Sequence, residues 1–273
     1  MPGHPERPER LDAALRGVGV APEEAPRVDL DLVRAVHDEG MIEPPVGWID
    51  ADTYVTPASW EAALRSAGAA VEAARSAARG EPAFAIARPP GHHATRATAM
   101  GFCLLNNVAV AANALRRRVA IVDIDVHHGN GTQDIFARRA DVLYVSLHGW
   151  PLYPGTGRVE ERGCGNVLNL PVPAGTGHDG WLECFDRAVV PKVRAFRPEA
   201  ILVSAGFDAD ARDPLGNLRL RPETYDKCIA RLRDLQPRIA AMLEGGYDLA
   251  AVEEGARAVA AALVGNPFPG HAE

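Results

Sequence analysis

The sequence predicts an α/β fold, a mostly parallel sheet with helices on both faces. Three observations predict it. Short apolar runs recur without polar alternation, as strands buried on both faces require. Helical patterns lie between them, which gives a repeating β-α order. Most of the Pro and Gly clusters follow a strand candidate, where loops leave the carboxyl ends of a sheet.

Taken in order, strands are expected at 83–87 (AFAIA), 119–124 (VAIVDI), 142–147 (VLYVSL), 166–170 (NVLNL), 200–204 (AILVS) and 238–243 (RIAAML). Helices are expected at 58–79, 104–117, 131–139, 178–195, 221–234 and 249–263. The first of these has a start signal, with Thr56 as N-cap and Pro57 in the first turn. Pro and Gly cluster at 88–101, 148–157, 171–177, 205–216 and 244–247. No repeat, low-complexity tract or linker interrupts the pattern, so one domain over 1–273 is expected.

A hydrophobic content of 47% with 24% charged residues is that of a soluble globular chain with a sizeable core. The net charge of -7 argues against a nucleic-acid-binding surface. Cys103, Cys164, Cys184 and Cys228 form no CxxC pair and suit neither a zinc finger nor a disulfide framework. Free thiols in a reducing cytoplasm are the simplest expectation. The first residues are polar and proline-rich, unlike a signal peptide, and no apolar run reaches the roughly 18 residues of a membrane span. A cytoplasmic protein with no membrane partner is expected.

The strongest local signal is VDIDVHHGNGT at 122–132. Residues two apart on a strand share a face, so Asp123, Asp125 and His127 point the same way at the end of a buried strand. Three ionisable groups there are costly unless compensated, by a cation or by an isolated salt-bridge network. A second carboxylate follows the strand in ILVSAGFDADARDPLG (201–216). Asp208 lies closest to the strand end, while Asp210 and Asp213 are expected to serve the turn. One His and two carboxylates leave coordination positions open, as a catalytic metal site does. The set suits Zn²⁺, and also Fe²⁺, Co²⁺ or Mn²⁺.

His92 and His93 stand side by side in the Gly/Pro loop ARPPGHHATRATAMGFC (87–103). A lone loop histidine is usually surface. Two together, at the sheet end that carries a metal cluster, fit acid–base work. Asp123 and Asn130 are placed to orient them through their other ring nitrogens. In LEGGYDL (243–249) two glycines let the backbone approach the site, and Tyr247 offers a hydroxyl to a developing oxyanion. Alone, that turn would be only a turn.

Together, HPERPER (4–10), RPPGHHA (88–94), GFCLLNN (101–107), DIDVHHGNGT (123–132), YPGTG (153–157), GNVLNLPV (165–172), SAGFDAD (204–210) and EGGYDL (244–249) resemble the histone deacetylase family. The class II-like and bacterial branch is the nearest, over nearly the whole chain and in the family's order. The resemblance implies a three-layer arginase/deacetylase fold, a single deacetylase domain, and hydrolysis of an acyl-lysine or similar small acylated amine. It matches Asp125, His127 and Asp208 to zinc ligands, His92 and His93 to the tandem histidines, and Asp123 and Asn130 to their partners. Tyr247 matches the catalytic tyrosine. Gly101, Phe102 and Tyr153 match the walls of a narrow acyl-lysine channel, and Leu215 an apolar position at its rim. Ser146 and Leu147, with Asp123, Asp125 and His127, match a structural potassium site; Phe136, Arg139 and Val142 match part of a second, weaker one. Asp52, in the loop 43–56, is the candidate for a substrate-backbone-binding aspartate at the rim. The family also places a strand ahead of the 4–10 segment. Met1 almost abuts that segment, so the strand is expected to be missing here or to lie upstream of the given start.

The matched residues imply a mechanism in which His93 is general base and His92, held by Asp123, gives electrostatic help. Three rivals stand beside this reading. An acetylpolyamine amidohydrolase would favour an acidic residue near the mouth, where Leu215 stands. A binuclear ureohydrolase would use Asp208 and Asp210 as a DxD pair, but would give the tandem histidines no role. An inactive acyl-ligand-binding protein would need a broken catalytic set. The acyl group and the oligomeric state, a homo-oligomer included, are left open.

Overall fold

The structure is a computed structural model that describes residues 3–266 and 268. The outermost ends of the expected 1–273 domain, residues 1, 2, 267 and 269–273, lie outside the described residues. In chain order the elements are α1 (Glu9–Val18), α2 (Leu30–Arg34), β1 (Gly47–Trp48), β2 (Tyr54–Val55), α3 (Ser59–Ala78), β3 (Ala83–Ala85), α4 (Asn107–Leu115) and β4 (Val119–Asp123). Then follow α5 (Asn130–Phe136), β5 (Val142–Trp150), β6 (Val167–Pro173), α6 (His178–Cys184), α7 (Val190–Phe196), β7 (Ala200–Ala205), α8 (Pro222–Leu235), β8 (Ile239–Leu243) and α9 (Leu249–Val264).

Six strands form one sheet in the order β3-β8-β7-β4-β5-β6, every neighbouring pair parallel. Both faces are buried, which explains the unalternated apolar runs. Along β4, Ala120 and Val122 join one core cluster and Val119 and Ile121 the other. The first cluster takes in residues of α1, α6, α8 and α9, the second those of α3, α4 and α5. The result is three layers, as expected. All six expected strands are present. β3 is an edge strand, and among the described residues no strand pairs with its outer side.

Two local expectations need correction. The helix over 58–79 begins at Ser59, and Thr56 does not cap it: its backbone N–H and hydroxyl bond to the Ser59 hydroxyl, both at 2.9 Å. The expected helix over 178–195 is interrupted by a π turn at Phe185–Val189. Pro191 stands just beyond it, after Val190, and has no N–H to give to the residue four before it. Ahead of residue 58, where no element was assigned, the chain holds α1, α2 and a small antiparallel hairpin of β1 and β2. Among the described residues no helix is long and apolar enough to cross a membrane.

The topology sets the position of the site. From β4 the chain steps outward to β5 and β6, then returns to place β7 on the other side of β4 and moves on to β8. The switch in direction lies between β4 and β7. Ligand sites in open α/β sheets form outside the carboxyl ends of such strands.

Candidate active site

The backbone leaving β4 carries Asp125 and His127, and that leaving β7 carries Asp208. All three are buried, and one candidate ligand atom from each lies within 4.8 Å of the others. His127 Nδ1 sits 3.1 Å from Asp125 Oδ1 and 3.2 Å from Asp208 Oδ2. The carboxylates are fixed from behind by backbone donors: Gly245 N to Asp125 Oδ2 at 2.8 Å and Val126 N to Asp208 Oδ1 at 2.9 Å.

Two glycines make this possible. A Cβ on Gly206 would fall 2.0 Å from Asp125 Oδ2, and one on Gly245 would fall 2.0 Å from Asp208 Oδ2. The carboxylates therefore occupy space that any other residue would claim. Their charges conflict. Burial and the Asp125 charge push Asp208 up to about 7. Burial opposes the Asp125 charge too, yet His92 and His127 hold Asp125 well below the usual carboxylate range. His127 is held up at about 10 against burial by its bonds to both carboxylates. Two buried carboxylates converging on one imidazole nitrogen form a donor set that fits a divalent cation, with the mixed N and O character of a catalytic site.

The loop after β3 carries the tandem histidines. Its His92 carbonyl accepts from Gly131 N and Thr132 N at 3.1 and 3.2 Å, which seats it on the start of α5. His92 Nδ1 lies 3.0 Å from Asp123 Oδ2, and His93 Nδ1 lies 2.8 Å from Asn130 Oδ1. The Asn130 amide nitrogen donates to Met100 Sδ at 3.4 Å, which leaves its oxygen to accept. His93 Nδ1 therefore carries the proton and Nε2 is left as a base. Burial opposes charge on His92, but Asp125 and Asp123 raise it well above its ordinary value. Burial, then the charges of His92 and His127, hold His93 well below its own. The two ring centroids are 4.0 Å apart.

Tyr247 lies between β8 and α9, its ring with Arg10 on one contact at 5.0 Å and Phe102 edge-on at 5.8 Å. Asp213 accepts from Leu215 N at 3.0 Å within its own turn, as expected, and also from Tyr247 N at 2.6 Å and Asp248 N at 3.1 Å. Asp210 is bound through both oxygens to Arg212, at 2.8 and 2.9 Å. Tyr153 stands edge-on to His93 at 5.0 Å. Phe102 adopts φ 67°, left-handed backbone that costs a non-glycine residue, and its N–H is tied to Thr53 Oγ1 at 3.0 Å. Gly101 N donates to Asp50 Oδ2 at 3.2 Å. Asp50 also accepts from the backbone of Asp52 and Thr53, so it shapes the rim loop, and Asp52 is left exposed beside it. Leu215, 37% exposed, is on the loop that Asp213 ties to the Tyr247 turn.

Two residues absent from the sequence reading hold these parts together. Glu244 is fully buried and accepts from Gly91 N at 2.7 Å, His92 N at 3.1 Å and Ser204 Oγ at 3.0 Å; burial pushes it up to about 7. Arg10, also fully buried, donates to the carbonyls of Gly246 and Glu244 and to Glu6, which in turn binds Arg88. The signal for Glu244 was a charged residue closing the apolar run RIAAML. Arg10 sat in a motif whose spacing alone assigned it nothing.

At the residues matched to potassium sites, Asp123 pairs in register with Ser146, whose hydroxyl lies 2.9 Å from His148 Nδ1, and Leu147 follows in the core. The carbonyls of Phe136, Arg139 and Val142 do converge, but on the side-chain nitrogen of Asn166.

A family model described as the histone deacetylase domain matches residues 4–263. A probable deacetylase of Archaeoglobus fulgidus is 38% identical over 278 residues, covering 91% of this chain and 77% of its own. A histone deacetylase-like amidohydrolase of Pseudomonas aeruginosa is 39% identical over 282 residues, covering 92% and 74%. The crystal structure of the HDA15 HD domain superposes with a TM-score of 0.92 at 38% identity, covering 97% of this chain and 83% of that one.

Proposed function

The chain belongs to the histone deacetylase family, and on that footing we propose that it is a metal-dependent deacetylase acting on an acyl-lysine or a similar small acylated amine. One observation carries the reading. The Asp125–His127–Asp208 cluster, the His92–Asp123 pair and the His93–Asn130 pair converge at the switch point of the sheet. A divalent cation held by the cluster, Zn²⁺ foremost and Fe²⁺ or Co²⁺ as alternatives, would polarise an amide carbonyl and acidify a water molecule.

The remaining steps belong to the protein. His93 takes the proton of the attacking water at Nε2 and later delivers it to the leaving amine. His92, held by Asp123 and kept charged by Asp125 and Asp123, supplies a fixed positive field. The Tyr247 hydroxyl, held protonated by burial, donates to the oxyanion. Gly101, Phe102 and Tyr153 form channel walls against His93, with Leu215 and Asp52 at the rim. A monovalent cation near Asp123, Asp125, His127, Ser146 and Leu147 would support the strand ends without entering a step.

A binuclear reading is weakened because Asp210, its second DxD carboxylate, is spent on Arg212. The test is a screen of the purified protein on acetyl-lysine peptides, acetylpolyamines and longer-acyl amides, with metal analysis. Acyl-lysine turnover with about one ion per chain is expected. Preference for acetylpolyamines would move the substrate to the sister class, and two ions without amide turnover would sink the proposal.

A further inference from the structure

We infer that the side-chain amide of Asn166 takes the place of a second monovalent cation, so that this corner of the molecule binds none. The turn that ends α5 and the start of β5 direct three carbonyls inward. Asn166 Nδ2 lies 2.8 Å from Phe136 O, 3.0 Å from Arg139 O and 2.8 Å from Val142 O. An amide nitrogen has two protons, so three acceptors at bonding distance share one donor group. A ring of carbonyl oxygens around one point is how proteins replace the hydration shell of a potassium ion. Here that point is a nitrogen atom.

The orientation of the amide is fixed. Its oxygen accepts from Cys164 N at 3.2 Å and from Cys164 Sγ at 3.3 Å. Turning it over would set an oxygen against three carbonyl oxygens. Nor is the side chain free to leave. Asn166 is 5% exposed, and its own carbonyl accepts from Tyr144 N at 2.9 Å where β6 joins β5. A cation among these carbonyls would have to displace Nδ2 and strand a buried amide. The residues matched to the second potassium site therefore do not fit the ion, and the carbonyls are satisfied without it.

The test is crystallographic, with rubidium as a potassium surrogate. Wild-type crystals grown in rubidium chloride should show no anomalous density among the carbonyls of Phe136, Arg139 and Val142. Asn166→Ala crystals should show it at the position Nδ2 leaves. In solution the variant should melt about 2–4 °C higher in rubidium chloride than in tetramethylammonium chloride, beyond any wild-type difference. Rubidium density among the wild-type carbonyls would overturn the proposal, and so would Asn166→Ala crystals with none. If the variant does not fold, the wild-type map decides alone.

Discussion

His127 and His128 are adjacent and both buried, yet they sit in opposite electrical surroundings. His127 Nδ1 faces two carboxylates and is held up at about 10. His128 lies between Thr156 Oγ1 at 2.8 Å and Gln133 Oε1 at 3.0 Å, and burial pushes it down to about 3. Burial is common to the pair, so the partners decide the charge. The same division separates two regions. Around Asp125 and Asp208 the protein concentrates charge. Around His128, Gln133, Glu161 and Asn169, beneath the loop that carries Tyr153, it builds a largely neutral network in which Gln133 bonds both Glu161 and Asn169. A polar interior becomes a chemical site where carboxylates crowd, and a scaffold where amides intervene.

The largest test of this division falls on His93, the neutral histidine inside the charged region. His93→Ala should lower kcat/KM by about 10²–10⁴-fold while bound metal, measured by elemental analysis, stays unchanged. Loss of metal in that variant would make His93 part of the ion's support instead. Tyr247→Phe should lower kcat by about 10²–10³-fold with metal again retained, and a fully active Phe variant would remove the tyrosine from the chemistry. Asp123→Asn breaks the comparison directly by giving His92 an amide partner in place of a carboxylate. It should cost about 10–100-fold in activity or metal affinity, and ring-nitrogen NMR should find the His92 pKa lowered from that of wild type, since Asp123 is one of the charges that raise it.

The smallest effect comes from His37, a buried histidine whose ring nitrogens meet backbone rather than a carboxylate. Its Nδ1 lies 2.9 Å from Thr95 O, and its Nε2 accepts from Asn106 N at 2.9 Å, at the cap of α4. Burial lowers its pKa below 6.5. The unfolded chain therefore takes up a proton at a pH where the native state does not. This contribution to stability is full above 6.5 and is lost as pH falls below it. Melting temperature followed downward from pH 7.5 should fall more steeply for wild type than for His37→Gln. Equal slopes would show that this ring does not govern the decline.

The four central strands, β8, β7, β4 and β5, were legible because each is buried on both faces, and four or five apolar residues in a row have few other uses. The elements ahead of residue 58 were not. α1 lies in a charged, proline-flanked segment and owes its place to packing on α9, and the strands of the β1–β2 hairpin are two residues long. The π turn at Phe185–Val189 was hidden because helical periodicity barely changes across it. At the site, the residues with alternating spacing at the end of β4 and just beyond it, Asp123, Asp125 and His127, were readable from the chain alone. Asp208 was readable by its distance from a strand end. Glu244 and Arg10 were not, since each acts by bonding to backbone from distant parts of the chain, and backbone leaves no mark in composition. Asn166 was missed for the same reason: its three partners are carbonyls.

Gly206 and Gly245 carry a consequence for variation. In a library of all single substitutions, these two positions should tolerate almost nothing, and the damage should read as loss of ion binding before loss of folding. The neighbours most sensitive to replacement thus own no functional group. A side chain is barred there by two carboxylate oxygens, each 2.0 Å from where its Cβ would lie.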